Sequence, residues 1–162
     1  IGGLRVRARR LEVAYSRAAE QLRRALNEVR PDHVLFLGVA PGTILRIETL
    51  ARTRDEAAAP DNEGVVRSGT PIREPGPAYL PTGLPVKALL DRLTEGGFEI
   101  STSDDAGGYL CNLVFYVVRD PLPERTVAGF VHVPPLRATW PRERIEGAVR
   151  TMVEVIDEAT RP

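Results

Sequence analysis

Apolar positions recur along this chain with two periods. Leu4, Val6 and Ala8 alternate with arginines, so Leu4 to Val13 is expected to form a strand with one wet face. From Ser16 to Val29 the apolar residues Ala18, Ala19, Leu22, Ala25, Leu26 and Val29 fall at helical spacing, with Ser16 as a candidate cap and Pro31 as a stop. His33 to Val39 is a short continuous apolar run, the signature of a parallel strand covered on both faces, and Pro41-Gly42 then turns the chain. Ile47 to Leu50 reads as a further strand. Arg54 to Pro85 is dominated by Pro, Gly, Asp and Asn and is expected to be mostly loop bordering a site. Pro85 opens a helix with Val86, Leu89, Leu90 and Leu93 on one face and Gly96-Gly97 at its end. Phe98 to Thr102 reads as a strand, and Tyr109 to Val118 as a buried helix after a glycine-rich turn, with strand as the competing assignment. Val127 to Val133 reads as a strand, and Arg142 to Ala159 as a long amphipathic helix. Strands and helices that alternate in this way predict a three-layer α/β/α sandwich with a mostly parallel twisted sheet.

Composition narrows the possible partners. The 162 residues suit one domain with a sizeable core. Hydrophobic residues make up 43%, too many for disorder, and no apolar run approaches the ~18 residues of a membrane helix. The 22 basic and 22 acidic side chains cancel, so no overall field recruits nucleic acid or an anionic membrane. A small-molecule or peptide partner is expected. One cysteine forms no internal disulfide, and residues 1 to 15 lack the uninterrupted apolar core of a signal peptide, so a cytoplasmic protein is expected.

One Cys and two His limit the available chemistry sharply. Cys111 follows a Gly-Gly turn at the start of the predicted apolar helix, where free N–H groups and the positive dipole end favour a thiolate; free cysteines also serve as small buried hydrophobes. His132 lies near the end of a strand, at the carboxyl edge where such sheets display functional residues. His33 opens its strand and sits at the opposite edge, as a partly exposed structural imidazole. A third group must orient the base, and Glu48 is a carboxylate between apolar Ile47 and Leu50, with Asp61 and Glu63 as turn-forming alternatives. One Cys and two far-separated His give no metal-ligand cluster, and no cofactor is called for.

These residues stand in strings that resemble a known family. Ala106-Gly107-Gly108-Tyr109-Leu110-Cys111-Asn112, Gly129-Phe130-Val131-His132-Val133-Pro134 and Pro60-Asp61-Asn62-Glu63-Gly64 are similar to motifs of pyroglutamyl peptidase I, also called pyrrolidone-carboxylate peptidase. Gly38-Val39-Ala40-Pro41-Gly42, Gly76-Pro77 and Leu84-Pro85 follow in family order, and the resemblance covers about residues 4 to 160. It implies a cysteine exopeptidase with a catalytic triad of Glu48, Cys111 and His132, and with Tyr109 and Leu110 lining the pocket for the pyroglutamyl ring.

The chain departs from the family pattern at Thr43 and Ala58, where the family carries arginines, so a positive charge near the site is expected to be missing. Nothing in the chain matches the family's first strand and its Gly-Phe-x-Pro-Phe loop. It is therefore expected to begin partway into the fold, with an uncovered sheet edge, a pocket open on one side and weak activity. Such an edge suits a homo-oligomer, dimer or tetramer. Two alternatives stand beside the peptidase: a catalytically silent binding or assembly protein, and a Cys-dependent amidase acting on another small acyl substrate.

Overall fold

The computed structural model describes residues 3–120 and 126–161. Its elements, in chain order, are α1 (Tyr15–Val29), β1 (His33–Val39), β2 (Leu45–Glu48), β3 (Leu50–Arg52), β4 (Arg54–Ala57), β5 (Arg67–Pro71), β6 (Tyr79–Pro81), α2 (Val86–Glu95), β7 (Ile100–Ser103), α3 (Leu110–Arg119), β8 (Val127–Val133) and α4 (Arg142–Thr160). The central sheet has the order β1-β8-β2-β7. β1 runs parallel to β8 and β2 parallel to β7, while β2 and β8 meet antiparallel.

Period-2 alternation sorts the strand residues between two cores. Ala128 and Phe130 of β8 join Tyr15, Ala18 and Leu22 of α1 and the buried run Leu113 to Val118 of α3 on one face. Val131 and Val133 join Leu45 and Ile47 of β2, Leu89 and Leu93 of α2, and Met152, Val155 and Ile156 of α4 on the other. β8 is buried along nearly its whole length because helices cover both of its faces. The expected three layers are present, with α1 and α3 on one side of the sheet and α2 and α4 on the other.

Four local expectations are corrected. Leu4 to Val13 is not a strand: it has no β partner among the described residues, and Val6 is 53% exposed. Alternation supplies a face for a strand but no neighbouring edge to pair with. β1 is an edge strand whose Leu37 and Val39 are exposed rather than covered on both faces. The stretch from Arg54 to Pro85 contains β4, β5 and β6; β4 pairs antiparallel with β5, and β6 pairs with β3. Their three to five residues are too short to show periodicity in the sequence.

Ser16, finally, does not cap α1, which begins at Tyr15 after Ala14. The cap comes from 46 residues away: Asp61 Oδ2 accepts the backbone N–H of Tyr15 at 2.7 Å, while the Ser16 hydroxyl donates to Glu63 at 2.6 Å. The other predicted boundaries agree with the structure to within about two residues, the margin expected at element ends.

Candidate active site

Three elements converge at the carboxyl end of β8. His132 is the penultimate residue of that strand and faces the α1/α3 side, two residues beyond Phe130. Antiparallel pairing of β2 with β8 sets Arg46 opposite His132 and Glu48 opposite Phe130. Both β2 side chains therefore project from the same face as the imidazole. Glu48 is fully buried, and its Oε1 lies 2.6 Å from His132 Nδ1. A carboxylate in that position fixes the ring so that Nε2 is the nitrogen left for other chemistry.

Cys111 arrives from above, in the first turn of α3 after Tyr109 as N-cap. Helix geometry gives its backbone N–H no internal acceptor. Burial alone would lower the His132 pKa, but hydrogen bonds from the ring to Cys111 and Glu48, with the negative charge of both, outweigh it and push the pKa up from 6.5 to about 9. The ring thus lies between a sulfur and a carboxylate, and the shift favours its protonated form.

The fit depends on two glycines. Gly38 of β1 lies opposite His132 in register, and a Cβ there would stand 2.6 Å from Phe130 Cζ and 3.1 Å from Cys111 Sγ. Gly108, just before α3, packs so closely on β4 that a Cβ would fall 1.7 Å from the carbonyl oxygen of Glu56. A side chain at either position would displace the thiol or the turn that carries it.

The remaining predicted residues sort cleanly. His33 is remote from the thiol: its Nε2 lies 2.6 Å from Thr160 Oγ1 at the opening end of β1. Asp61 and Glu63 do not reach His132. Asp61 is a structural acceptor for the N–H groups of Tyr15, Glu63 and Val65, which outweigh the effect of burial and hold its carboxyl below the usual range. Glu63 pairs with Arg17 at 2.9 Å. Tyr109 is half-buried, edge-on to Tyr15 with ring centroids 5.7 Å apart, and its hydroxyl donates to the Pro60 carbonyl. The Leu110 side chain is 7% exposed and lies in the α1/α3 core. Thr43 contributes its carbonyl, which accepts the Trp140 indole N–H at 2.6 Å.

Apart from the positions of Thr43 and Ala58, a positive charge does stand beside the pair, at Arg46. Its Nε lies 3.9 Å from Glu48 Oε1, and its side chain is 36% exposed at the outer end of the same face. Sequence reasoning passed over this residue because arginine carries all but one of the basic charges of the chain and gives no local contrast. Alternation two residues back from Glu48 was the signal that could have found it.

Among the described residues no group of three or more His, Cys, Asp or Glu side chains is arranged to hold a metal ion, and no helix is long and apolar enough to cross a membrane.

A thiol at a helix start, an imidazole at a strand end and a buried carboxylate behind it, on an α/β sheet, define the class of cysteine hydrolases. Within that class, the pyroglutamyl peptidase family model matches residues 1–158, and the chain belongs to that family. It is 35% identical over 156 residues to the pyrrolidone-carboxylate peptidase of Brevibacillus brevis, covering 93% of this chain and 73% of the relative. It is 37% identical over 133 residues to that of Pseudomonas fluorescens, covering 81% of this chain and 62% of the relative. The chain thus spans about two thirds of the length of these curated relatives. Among solved structures, pyrrolidone carboxyl peptidase from Thermus thermophilus superposes with a TM-score of 0.85 at 37% identity, covering 89% of this chain and 79% of that one. A mutant of the Pyrococcus furiosus enzyme superposes with a TM-score of 0.92 at 31% identity, covering 98% and 85%.

Proposed function

We propose that the chain is a cysteine exopeptidase that removes an N-terminal pyroglutamyl residue from peptides, with Cys111 as nucleophile, His132 as acid and base, and Glu48 as the group that orients His132. The observation that carries this reading is the 2.6 Å bond from the buried Glu48 carboxylate to the His132 ring, whose pKa is raised further by the neighbouring Cys111. Family membership supports it, and so do the names of the relatives.

In the proposed reaction the Cys111 thiolate attacks the acyl carbon of the pyroglutamyl residue. The carbonyl oxygen takes the negative charge and receives a hydrogen bond from the Cys111 N–H, a contribution of a few kcal/mol per donor in such sites. Imidazolium Nε2 gives its proton to the departing amine as the C–N bond breaks, leaving a thioester. His132, now neutral, takes a proton from water, and the hydroxyl adds to the thioester carbon. Collapse releases pyroglutamate and returns the thiolate–imidazolium pair. Tyr109, beside the nucleophile and braced by Tyr15, supplies an aromatic wall for a small uncharged ring. The reactive thiol suits a reducing, cytoplasmic setting.

The test is release of a fluorogenic amine from its pyroglutamyl amide, with the prolyl amide as control. Turnover of the first, lost in Cys111→Ser, supports the reading. Alkylation of Cys111 faster than an ordinary thiol, with no pyroglutamyl turnover, would instead favour an amidase with another acyl substrate.

A further inference from the structure

Beside Cys111 stands a residue that the proposed mechanism does not use. Asn112 is fully buried, and every polar atom of its side chain is engaged. Oδ1 accepts the Arg52 backbone N–H at 2.8 Å, while Nδ2 donates to the carbonyls of Arg52 and Arg54 at 3.0 and 3.3 Å and to Asp55 Oδ1 at 3.1 Å. The amide thus pairs with both backbone groups of Arg52, as a neighbouring strand would, and bridges the first turn of α3 to β3 and β4. Asp55 is itself fully buried, and its other oxygen, Oδ2, has no hydrogen-bond partner among the described residues. Arg52 is four residues beyond Glu48 on the same run of chain, with only Thr49 between β2 and β3.

The contacts therefore close a ring. Cys111 is joined by one peptide bond to Asn112, Asn112 is bonded to Arg52, Arg52 is joined through β3 to Glu48, Glu48 is bonded to His132, and the Cys111 sulfur stands beside Gly38, the residue opposite His132 on β1. Each link is covalent or made by a fully buried side chain, Asn112 or Glu48, or by close packing on β1, so there is little slack to absorb the loss of one.

We propose that Asn112 is a positioning residue: its clamp on Arg52 and Asp55 holds the Cys111 sulfur against His132. The part of this claim that concerns turnover rests on the peptidase reading; the part that concerns thiol reactivity does not. Hydrophobic packing alone would seat α3 on the sheet but would not fix the height and rotation of its first turn to a fraction of an ångström. A misplacement of about 1 Å at a reacting group costs on the order of 100-fold in rate.

The experiment compares Asn112→Asp with the combined change Asn112→Asp, Asp55→Asn, alongside wild type. The single change is nearly isosteric, keeps the acceptor for Arg52 N–H, removes the three donations and sets two carboxylates against each other. The combined change restores a donor–acceptor pair with the roles reversed. Each protein is titrated for active thiol with iodoacetamide, so that rates refer to the competent fraction. The expected result for the single variant is a kcat lower by about 100-fold with KM within about threefold. The rate of Cys111 alkylation should fall and its pH profile should change, because the sulfur no longer stands against His132. In the combined variant at least tenfold of the loss should return. If the single variant keeps wild-type kcat and alkylation profile, or loses only titratable sites, or if the combined variant recovers nothing, Asn112 is part of the packing alone and the proposal is overturned. Should wild type turn over no pyroglutamyl amide, the peptidase reading fails, and the alkylation profiles still decide the role of Asn112.

Discussion

Replacing Glu48 with glutamine removes one negative charge from the site and leaves its shape intact. In the native site the 2.6 Å bond from His132 Nδ1 to a fully buried carboxylate is a charge-assisted hydrogen bond out of reach of solvent. Bonds of this kind contribute roughly 1.5–3 kcal/mol, or about one to two pH units on the imidazole. His132 titrates at about 9 with both partners in place, so its pKa in Glu48→Gln should fall to roughly 7–8. The sign follows from the direction of the shift: the imidazolium persists below its pKa and is lost as pH rises through it, so the alkaline limb of activity should move to lower pH. The glutamine amide also donates as readily as it accepts and no longer dictates the tautomer. Losing that control costs on the order of 10⁴ in kcat in the best-studied serine triad. We expect kcat at pH 7.5 to fall by about 10² to 10⁴ with KM changed by less than about threefold. The assay is kcat and kcat/KM for a pyroglutamyl fluorogenic amide from pH 5 to 10.5, with iodoacetamide alkylation over the same range. An alkaline limb that stays at about 9 in the variant, with kcat within threefold of wild type, would refute the orienting role of Glu48.

Gly38→Ala should lower kcat by at least tenfold while the protein remains folded by circular dichroism, because the new methyl meets Phe130 and Cys111 at 2.6 and 3.1 Å; unchanged kcat would mean that the strand yields freely. Asp55, buried and raised from 3.8 to about 6 chiefly by desolvation, holds its proton more tightly when folded, so ionisation costs stability as pH rises through that window. Asp55→Asn should therefore raise the unfolding free energy by up to about 3 kcal/mol at pH 8 and by almost nothing at pH 3.5, in denaturant melts at the two pH values. Asp61→Ala removes the acceptor for three backbone N–H groups and should lower Tm by several degrees, with proteolysis near Asn62 as a second readout; an unchanged Tm would show that water replaces the cap.

Most elements were legible in the sequence because their cause is local. Helical spacing in α1, α2 and α4 and the apolar run of β8 place side chains on faces that must be buried, whatever covers them. The strings around Cys111 and His132, with Glu48 on an apolar strand, likewise marked the candidate site before any geometry was available. What the sequence left open depends on contacts between distant residues. Only pairing decides that β2 lies antiparallel to β8, and that pairing sets Arg46 opposite His132 and brings Glu48 onto its face. Only pairing decides that, among the described residues, Leu4 to Val13 finds no strand partner and β1 stands at the edge of the sheet. The cap of α1 from Asp61 and the clamp of Asn112 on Arg52 join residues 46 and 60 positions apart. A residue's type and its local period say what kind of partner it needs. Which partner it gets is set by the packing of the two cores, because the same hydrogen-bonding demand is met equally well by any group that the fold delivers at the right distance.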